Sequence, residues 1–233
     1  SLFFFFILFF TVISFLKADE LPKKPLTLGI LLYEGFELLD VAGPMQIFGG
    51  VSTDKLNIIT IAPQPGWLTA STLDSDHNIQ LQARYGFNDD VDIDILMIPG
   101  GLGTFKVINN KVIIDWIQKT SKTAKLTLSV CTGSALLAKA GVLDQRRATS
   151  NKELFDWVST QSDKVHWVHE ARWVVDDNII TSSGVSAGMD MSLAVISKLW
   201  GQEHAELIAN QTEFQWNRDP DNDPFAEVWT KKV

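Results

Sequence analysis

The chain has 233 residues, 45% hydrophobic and 21% charged, a globular balance that excludes disorder, collagen and coiled coil as readings of the whole. Twenty Lys and Arg against 28 Asp and Glu give a net charge of −8, which repels phosphate backbones, so no nucleic-acid partner is expected. Cys131 is the one cysteine, so an intramolecular disulfide is impossible, and with only four histidines a His/Cys zinc cluster is not expected either.

Residues 2–16, LFFFFILFFTVISFL, form an uncharged apolar run followed by Lys17, Ala18, Asp19 and Glu20. The run is short for a bilayer span, which needs ~20 residues, and suits the apolar centre of a signal peptide. Residues 1–20 are therefore expected to be a signal peptide or membrane anchor, and 21–26 a linker. Residues 27–225 are expected to form a single domain and 226–233 a C-terminal tail. Cleavage after Ala18 predicts a secreted or periplasmic protein whose mature domain does not touch the membrane. An uncleaved anchor or a cytoplasmic protein are the alternatives.

Within the domain, Thr27 to Tyr33 is a continuous apolar run of the kind that forms a fully buried parallel strand. The loop after it carries Glu34, Glu37 and Asp40, and Gly43-Pro44 predicts a helix start near Val41, ending at Phe48. Leu56 to Ala62 reads as a second buried strand, residues 67–90 as short edge strands, and Ile93 to Pro99 as the next central strand. Asn109 to Thr120 has helical spacing. Leu126 to Val130 is a strand, Ser134 to Ala140 a helix closed by Gly141, and Asn151 to Ser159 an amphipathic helix. Trp173 to Thr181 reads as a hairpin around Asp176-Asp177-Asn178, and Ser186 to Trp200 and Gln202 to Asn210 as helices. The polar tail from Gln211 is expected to be mostly loop. Strands alternating with helices predict an α/β fold with a mostly parallel central sheet and helices on both faces.

The stretch LTLSVCTGSALLAKA, Leu126 to Ala140, carries most of the chemistry. An apolar strand runs straight into Cys131, and Thr132-Gly133-Ser134 opens a helix. Sites in open α/β sheets form beyond the carboxyl ends of the strands, and a tight strand-to-helix turn lifts a nucleophile clear of the sheet. The helix N-terminus is expected to favour the thiolate, and the Thr132 N–H to stabilise negative charge on a substrate. The bland reading is a buried structural cysteine. Pro99-Gly100-Gly101-Leu102-Gly103 also follows a central strand, where glycines let the backbone approach a small-molecule substrate. Of the acids after the first strand, Asp40 lies between Leu39 and Val41. It is the best candidate for a partly buried acid that exchanges a proton with Cys131; its bland reading is a helix N-cap. His204 and Glu206 lie two apart on one helix and face different directions. His166 and His169 read as structural, His77 has no visible partner, and Asp190 reads as support for a neighbouring loop.

Together, LGILLYEGFELLDVAGPMQIF, DILMIPGGLGT, SVCTGSALLAKAGVLDQRRATS and DDNIITSSGVSAGMDMSLAV resemble the ThiJ/PfpI superfamily over residues 27–225, and its isonitrile hydratase-like group most. The resemblance implies a flavodoxin-like three-layer sandwich, usually a homodimer, with no cofactor and no metal. It implies Cys131 as nucleophile, Asp40 as its acid and Thr132 as the polar residue after the nucleophile. Gly100 and Gly101 fall on the substrate-facing glycine loop, and Gly133 lies beside them in the turn. Two departures stand out. Thr132 occupies the position where the protease-like branch carries His, and Asn151 follows Ala148-Thr149-Ser150 where the hydratase-like group tends to carry His. The expected activity is hydration of an isocyanide to an N-substituted formamide through a Cys131 thioimidate. The alternatives are a glyoxalase-type enzyme for small dicarbonyls using the same cysteine, and a non-enzymatic redox sensor.

Overall fold

The computed structural model describes residues 24–73, 75 and 77–230. The expected leader over residues 1–20, the start of the linker and the last three residues lie outside this range. No helix among the described residues is long and apolar enough to cross a membrane.

β1 (Leu26–Leu31) leads through a short β2 (Phe36–Glu37) into α1 (Leu38–Phe48). β3 (Leu56–Ala62) is followed by the hairpin β4 (Gly66–Ser71) and β5 (Gln80–Ala83), then by β6 (Tyr85–Gly86) and β7 (Ile95–Ile98). α2 (Gly103–Val107) and α3 (Lys111–Thr123) precede β8 (Leu126–Ser129) and α4 (Gly133–Lys139). Next come β9 (Arg147–Ala148), α5 (Phe155–Ser159), β10 (His166–Trp167), and the hairpin β11 (Trp173–Asp176) and β12 (Ile179–Ser182). α6 (Ala187–Trp200), α7 (Gln202–Gln211) and α8 (Ala226–Thr230) complete the order.

The main sheet has seven strands in the order β11-β12-β8-β7-β1-β3-β6, all parallel except β11, which pairs antiparallel with β12. This is the expected α/β three-layer, flavodoxin-like architecture. The central strands read as unbroken apolar runs because both faces are covered: Leu28, Ile30, Leu96, Met97 and Leu128 are fully buried. Register aligns the strand ends. Ile30 pairs with Met97, Ile98 with Ser129, and Ser129 with Thr181. The segments that follow β1, β7, β8 and β12 therefore emerge side by side at one edge of the sheet, where α/β folds build their sites.

Four local expectations are corrected. α1 begins at Leu38, not near Val41, so Gly43 and Pro44 sit inside the helix. Pro44 lacks only the N–H that would have bonded the Asp40 carbonyl, and the helix runs through it. Asp40 thereby lies in the first turn of α1 rather than in a loop, and the N-cap position belongs to Glu37. β4 and β5 form a separate three-stranded sheet with β2, so of the strands expected over 67–90 only β6 edges the main sheet. The helix expected from Asn151 starts at Phe155, because the Asn151 side chain accepts the Leu154 N–H and holds the preceding residues in a turn. The tail is mostly loop until α8, yet it enters the interior at Asp223.

Candidate active site

The turn after β8 is stretched between two neighbouring strand ends. Val130 N–H donates to Ile98 O at 3.0 Å, and Cys131 N–H to Ser182 O at 3.2 Å. Meeting both bonds, then starting α4 two residues later, puts Cys131 at φ +57°, a left-handed conformation unusual outside glycine. Its carbonyl is pinned by the hydroxyls of Ser150 at 2.9 Å and Ser134 at 3.2 Å. The result is the sharp strand-to-helix elbow that the sequence suggests, with Cys131 buried.

Asp40 faces this elbow from α1 and is fully buried. The Gly100 N–H donates to its Oδ2 at 2.8 Å. Its Oδ1 meets no hydrogen bond of good geometry among the described residues, although the Cys131 thiol is close enough to the carboxyl to favour its charged form. Burial pushes the Asp40 carboxyl well above the usual range; the Gly100 N–H opposes this and the nearby Glu37 charge adds to it. The thiol does not follow the sequence expectation. Burial, then the Asp40 charge, push Cys131 well up, outweighing the Thr132 N–H and the Asn151 side chain, which both favour the thiolate. Thiol and carboxyl thus behave as one coupled acid pair that resists losing its last proton.

The other acids after β1 take different places. The Glu37 carboxylate accepts the Leu73 N–H at 3.0 Å and is turned toward residues 71–73. Glu34 accepts the Thr69 N–H at 3.0 Å at the surface.

Thr132 lies beside the cysteine, but its hydroxyl is spoken for. The Tyr33 hydroxyl gives its one proton to Pro99 O at 2.7 Å and so accepts from Thr104 Oγ1 at 3.1 Å. Thr104 must then accept from Thr132 Oγ1 at 2.9 Å, and Thr132 accepts the Gly101 N–H at 3.0 Å. The chain Gly101→Thr132→Thr104→Tyr33→Pro99 is directed and complete. The N–H groups of the three glycines are engaged within the protein. Gly100 serves Asp40, Gly101 serves Thr132, and the Gly133 N–H donates to Val130 O at 3.0 Å. They serve close approach instead. Gly101 adopts φ +124° against the backbone of Glu37, and Gly133 lies on the carbonyl of Ile98.

Two features escaped the sequence reading. The Asn151 side chain reaches the Cys131 sulfur. Behind it lies a buried group of four charges. Arg172 Nη2 pairs with Asp190 Oδ2 at 2.7 Å and Nη1 with Asp223 Oδ1 at 3.4 Å, while Lys152 Nζ lies 3.5 Å from Asp223 Oδ2. Lys152 also donates to Thr149 Oγ1, Ser150 O and Ala171 O, and burial lowers its pKa to about 8. Asp190 accepts the Asn217 N–H at 2.8 Å, so it does hold a neighbouring loop; burial raises its carboxyl against the pull of Arg172. A signal for Arg172 and Asp190 existed, since both interrupt apolar runs. None existed for Asp223, which sits in a polar tail. The histidines stay outside the elbow: His169 lies edge-on to Phe155, His166 and His77 are exposed, and His204 is on α7. No cluster of three or more histidine, cysteine, aspartate or glutamate side chains among the described residues is arranged to hold a metal.

Comparisons with known proteins agree with this architecture. The model of the DJ-1/PfpI family matches residues 27–198. An isonitrile hydratase of Pseudomonas putida is 28% identical over 208 residues, 87% of each chain. Protein DJ-1 homolog A of Arabidopsis thaliana is 31% identical over 121 residues, 51% of this chain and 30% of that protein. Among solved structures, a ThiJ/PfpI family protein from Pseudomonas syringae superposes with a TM-score of 0.74 at 27% identity, covering 92% of this chain and 87% of its own. Drosophila melanogaster DJ-1beta, at 19% identity and a TM-score of 0.70 over 82% of this chain and all of its own, shares the fold.

Proposed function

The chain belongs to the DJ-1/PfpI family, and we propose that within it this protein is a cofactor-independent lyase that hydrates isocyanides to N-substituted formamides. One observation carries the reading: the only cysteine sits on the elbow against a buried carboxyl with one oxygen left without a good hydrogen bond. The similarity to an isonitrile hydratase over most of both chains supports it. The burial of Cys131 suits it too, because an isocyanide presents a thin linear head.

The coupled pair supplies a thiolate and a carboxylic acid when its proton sits on Asp40. The sulfur attacks the terminal carbon as the Asp40 proton passes to that carbon, giving a thioimidate and a carboxylate. Asp40 then accepts a proton from water as the oxygen adds to the thioimidate carbon, and passes it to the nitrogen. The new hydroxyl returns its proton to Asp40, the carbon–sulfur bond breaks, and formamide leaves with thiolate and acid restored. One isocyanide and one water are consumed. An acid held protonated by burial suits the first step, where it must donate.

A redox sensor requires a low-pKa accessible thiol, and the buried Cys131 argues against it. The glyoxalase-type alternative shares the same residues and is separated by substrate. Purified protein is assayed for formamide formation from an aryl isocyanide, with Cys131→Ala and Asp40→Ala alongside. Turnover that disappears in Cys131→Ala and falls steeply in Asp40→Ala is expected. Folded, reduced wild type that makes no formamide overturns the reading, and dicarbonyls follow as substrates.

A further inference from the structure

Asn151 stands where the resemblance to the hydratase-like group implies His, and the structure gives that difference a chemical content. Asn151 Oδ1 accepts the Leu154 N–H at 3.0 Å, which fixes the side-chain amide and turns Nδ2 the other way. Nδ2 and the Cys131 sulfur converge on Gly184. A Cβ there would lie 2.9 Å from the sulfur and closer still to Nδ2. The absence of a side chain at 184 lets amide and thiol meet. Both sides of the asparagine are anchored. The Ser150 hydroxyl donates to Cys131 O at 2.9 Å, and Lys152 Nζ holds Thr149 Oγ1, Ser150 O and Ala171 O. The donor therefore needs no reorganisation when charge appears on the sulfur.

We propose that Asn151 is a further catalytic residue, a fixed and non-titrating donor whose Nδ2 holds the Cys131 sulfur in its anionic form. The amide acts with the Thr132 N–H, the other donor facing the sulfur, against the burial and the Asp40 and Glu37 charges that oppose the thiolate. An amide neither gives nor takes a proton. Asp40 is then the proton-transfer group that faces the sulfur, and the site suits additions in which one acid gives the proton and takes it back. Acyl transfer to a leaving amine, which draws on a second base, does not fit. The inference rests on the Cys131-centred reading, yet its first test does not use an isocyanide.

The test compares wild type, Asn151→Ala and Asn151→Asp by the rate of iodoacetamide alkylation across pH, with Cys131→Ala as blank. Asn151→Asp keeps an acceptor for the Leu154 N–H and replaces the donor with a carboxylate, so it isolates the hydrogen bond from the turn. Each unit of rise in the thiol pKa slows alkylation below the midpoint by about threefold, after the greater intrinsic nucleophilicity of the more basic thiolate is allowed for. Asn151→Ala is expected to alkylate at least threefold more slowly, Asn151→Asp more slowly still, and both profiles move to higher pH. In the isocyanide assay kcat falls tenfold or more with KM nearly unchanged. Circular dichroism identifies a variant that fails to fold, and the other variant then carries the comparison. Alkylation profiles that coincide with wild type overturn the assignment even if formamide is made. Shifted profiles with no formamide from any variant uphold Asn151 as the thiolate donor and overturn the hydratase reading instead.

Discussion

Asp40→Asn removes a titratable carboxyl from a place that solvates its charged form poorly while keeping the group's shape. The carboxylate is fully buried, with one good bond from Gly100 at 2.8 Å, one oxygen without a good partner, and Glu37 and Cys131 as acidic neighbours. Asparagine keeps an acceptor for Gly100 and presents its amide to the thiol. An unsatisfied buried acceptor costs about 1–3 kcal/mol. Relieving it raises the melting temperature by roughly 2–4 °C per kcal/mol at this chain length, so a gain of about 2–12 °C is expected at pH 8. The sign follows from linkage. The Asp40 carboxyl is raised in the folded protein, so wild-type stability is lost as pH climbs above the unfolded value of about 4. The advantage of the variant is therefore small at pH 4 and grows toward pH 8. Calorimetry of both proteins across that range measures it, while formamide turnover falls by roughly 10²–10⁴. A variant less stable than wild type at pH 8, or a difference that does not change with pH, refutes the account of a strained buried acid.

Three further outcomes follow from the same geometry. Arg172→Met leaves Asp190 and Asp223 buried without their guanidinium and is expected to cost about 3–5 kcal/mol in denaturant unfolding; a loss under 1 kcal/mol would show the pair to be solvated. Lys152 has a folded pKa of about 8, below its unfolded value, so wild type gains stability relative to Lys152→Met as pH rises from about 8 to about 10.4; a flat difference over that window contradicts a buried, deprotonating lysine. Gly133→Ala drives a methyl into the Ile98 carbonyl and within 2.9 Å of Pro99 O, with an expected cost of about 1–3 kcal/mol by thermal melting, and wild-type stability would mean that the turn has room to move.

The elbow was legible because its cause is local: an apolar strand, one cysteine and small residues in sequence. Asp40 was legible as an acid among apolar neighbours but was misplaced in a loop, since Gly43-Pro44 reads as a helix start and the packing that carries α1 through Pro44 is tertiary. The directed hydroxyl chain of Tyr33, Thr104 and Thr132 left no trace, because its members come from three segments with no shared period. The same holds for Asp223. Its neighbours Asp219, Pro220 and Asn222 spell a solvated loop, and Arg172, Lys152 and the Glu170 carbonyl, all distant in sequence, draw it inward. Residue 151 was noticed as a departure, but its contact with Cys131 follows from the side-chain space left at Gly184.

The bond between Asp223 and the charges behind the site also sets an order in time. The ribosome delivers Cys131, Lys152 and Arg172 well before Asp223, so for part of synthesis the two buried cations lack the anion that both of them meet. Until Asp223 arrives, the segment that presents Asn151 to the thiol lacks one of its charged anchors.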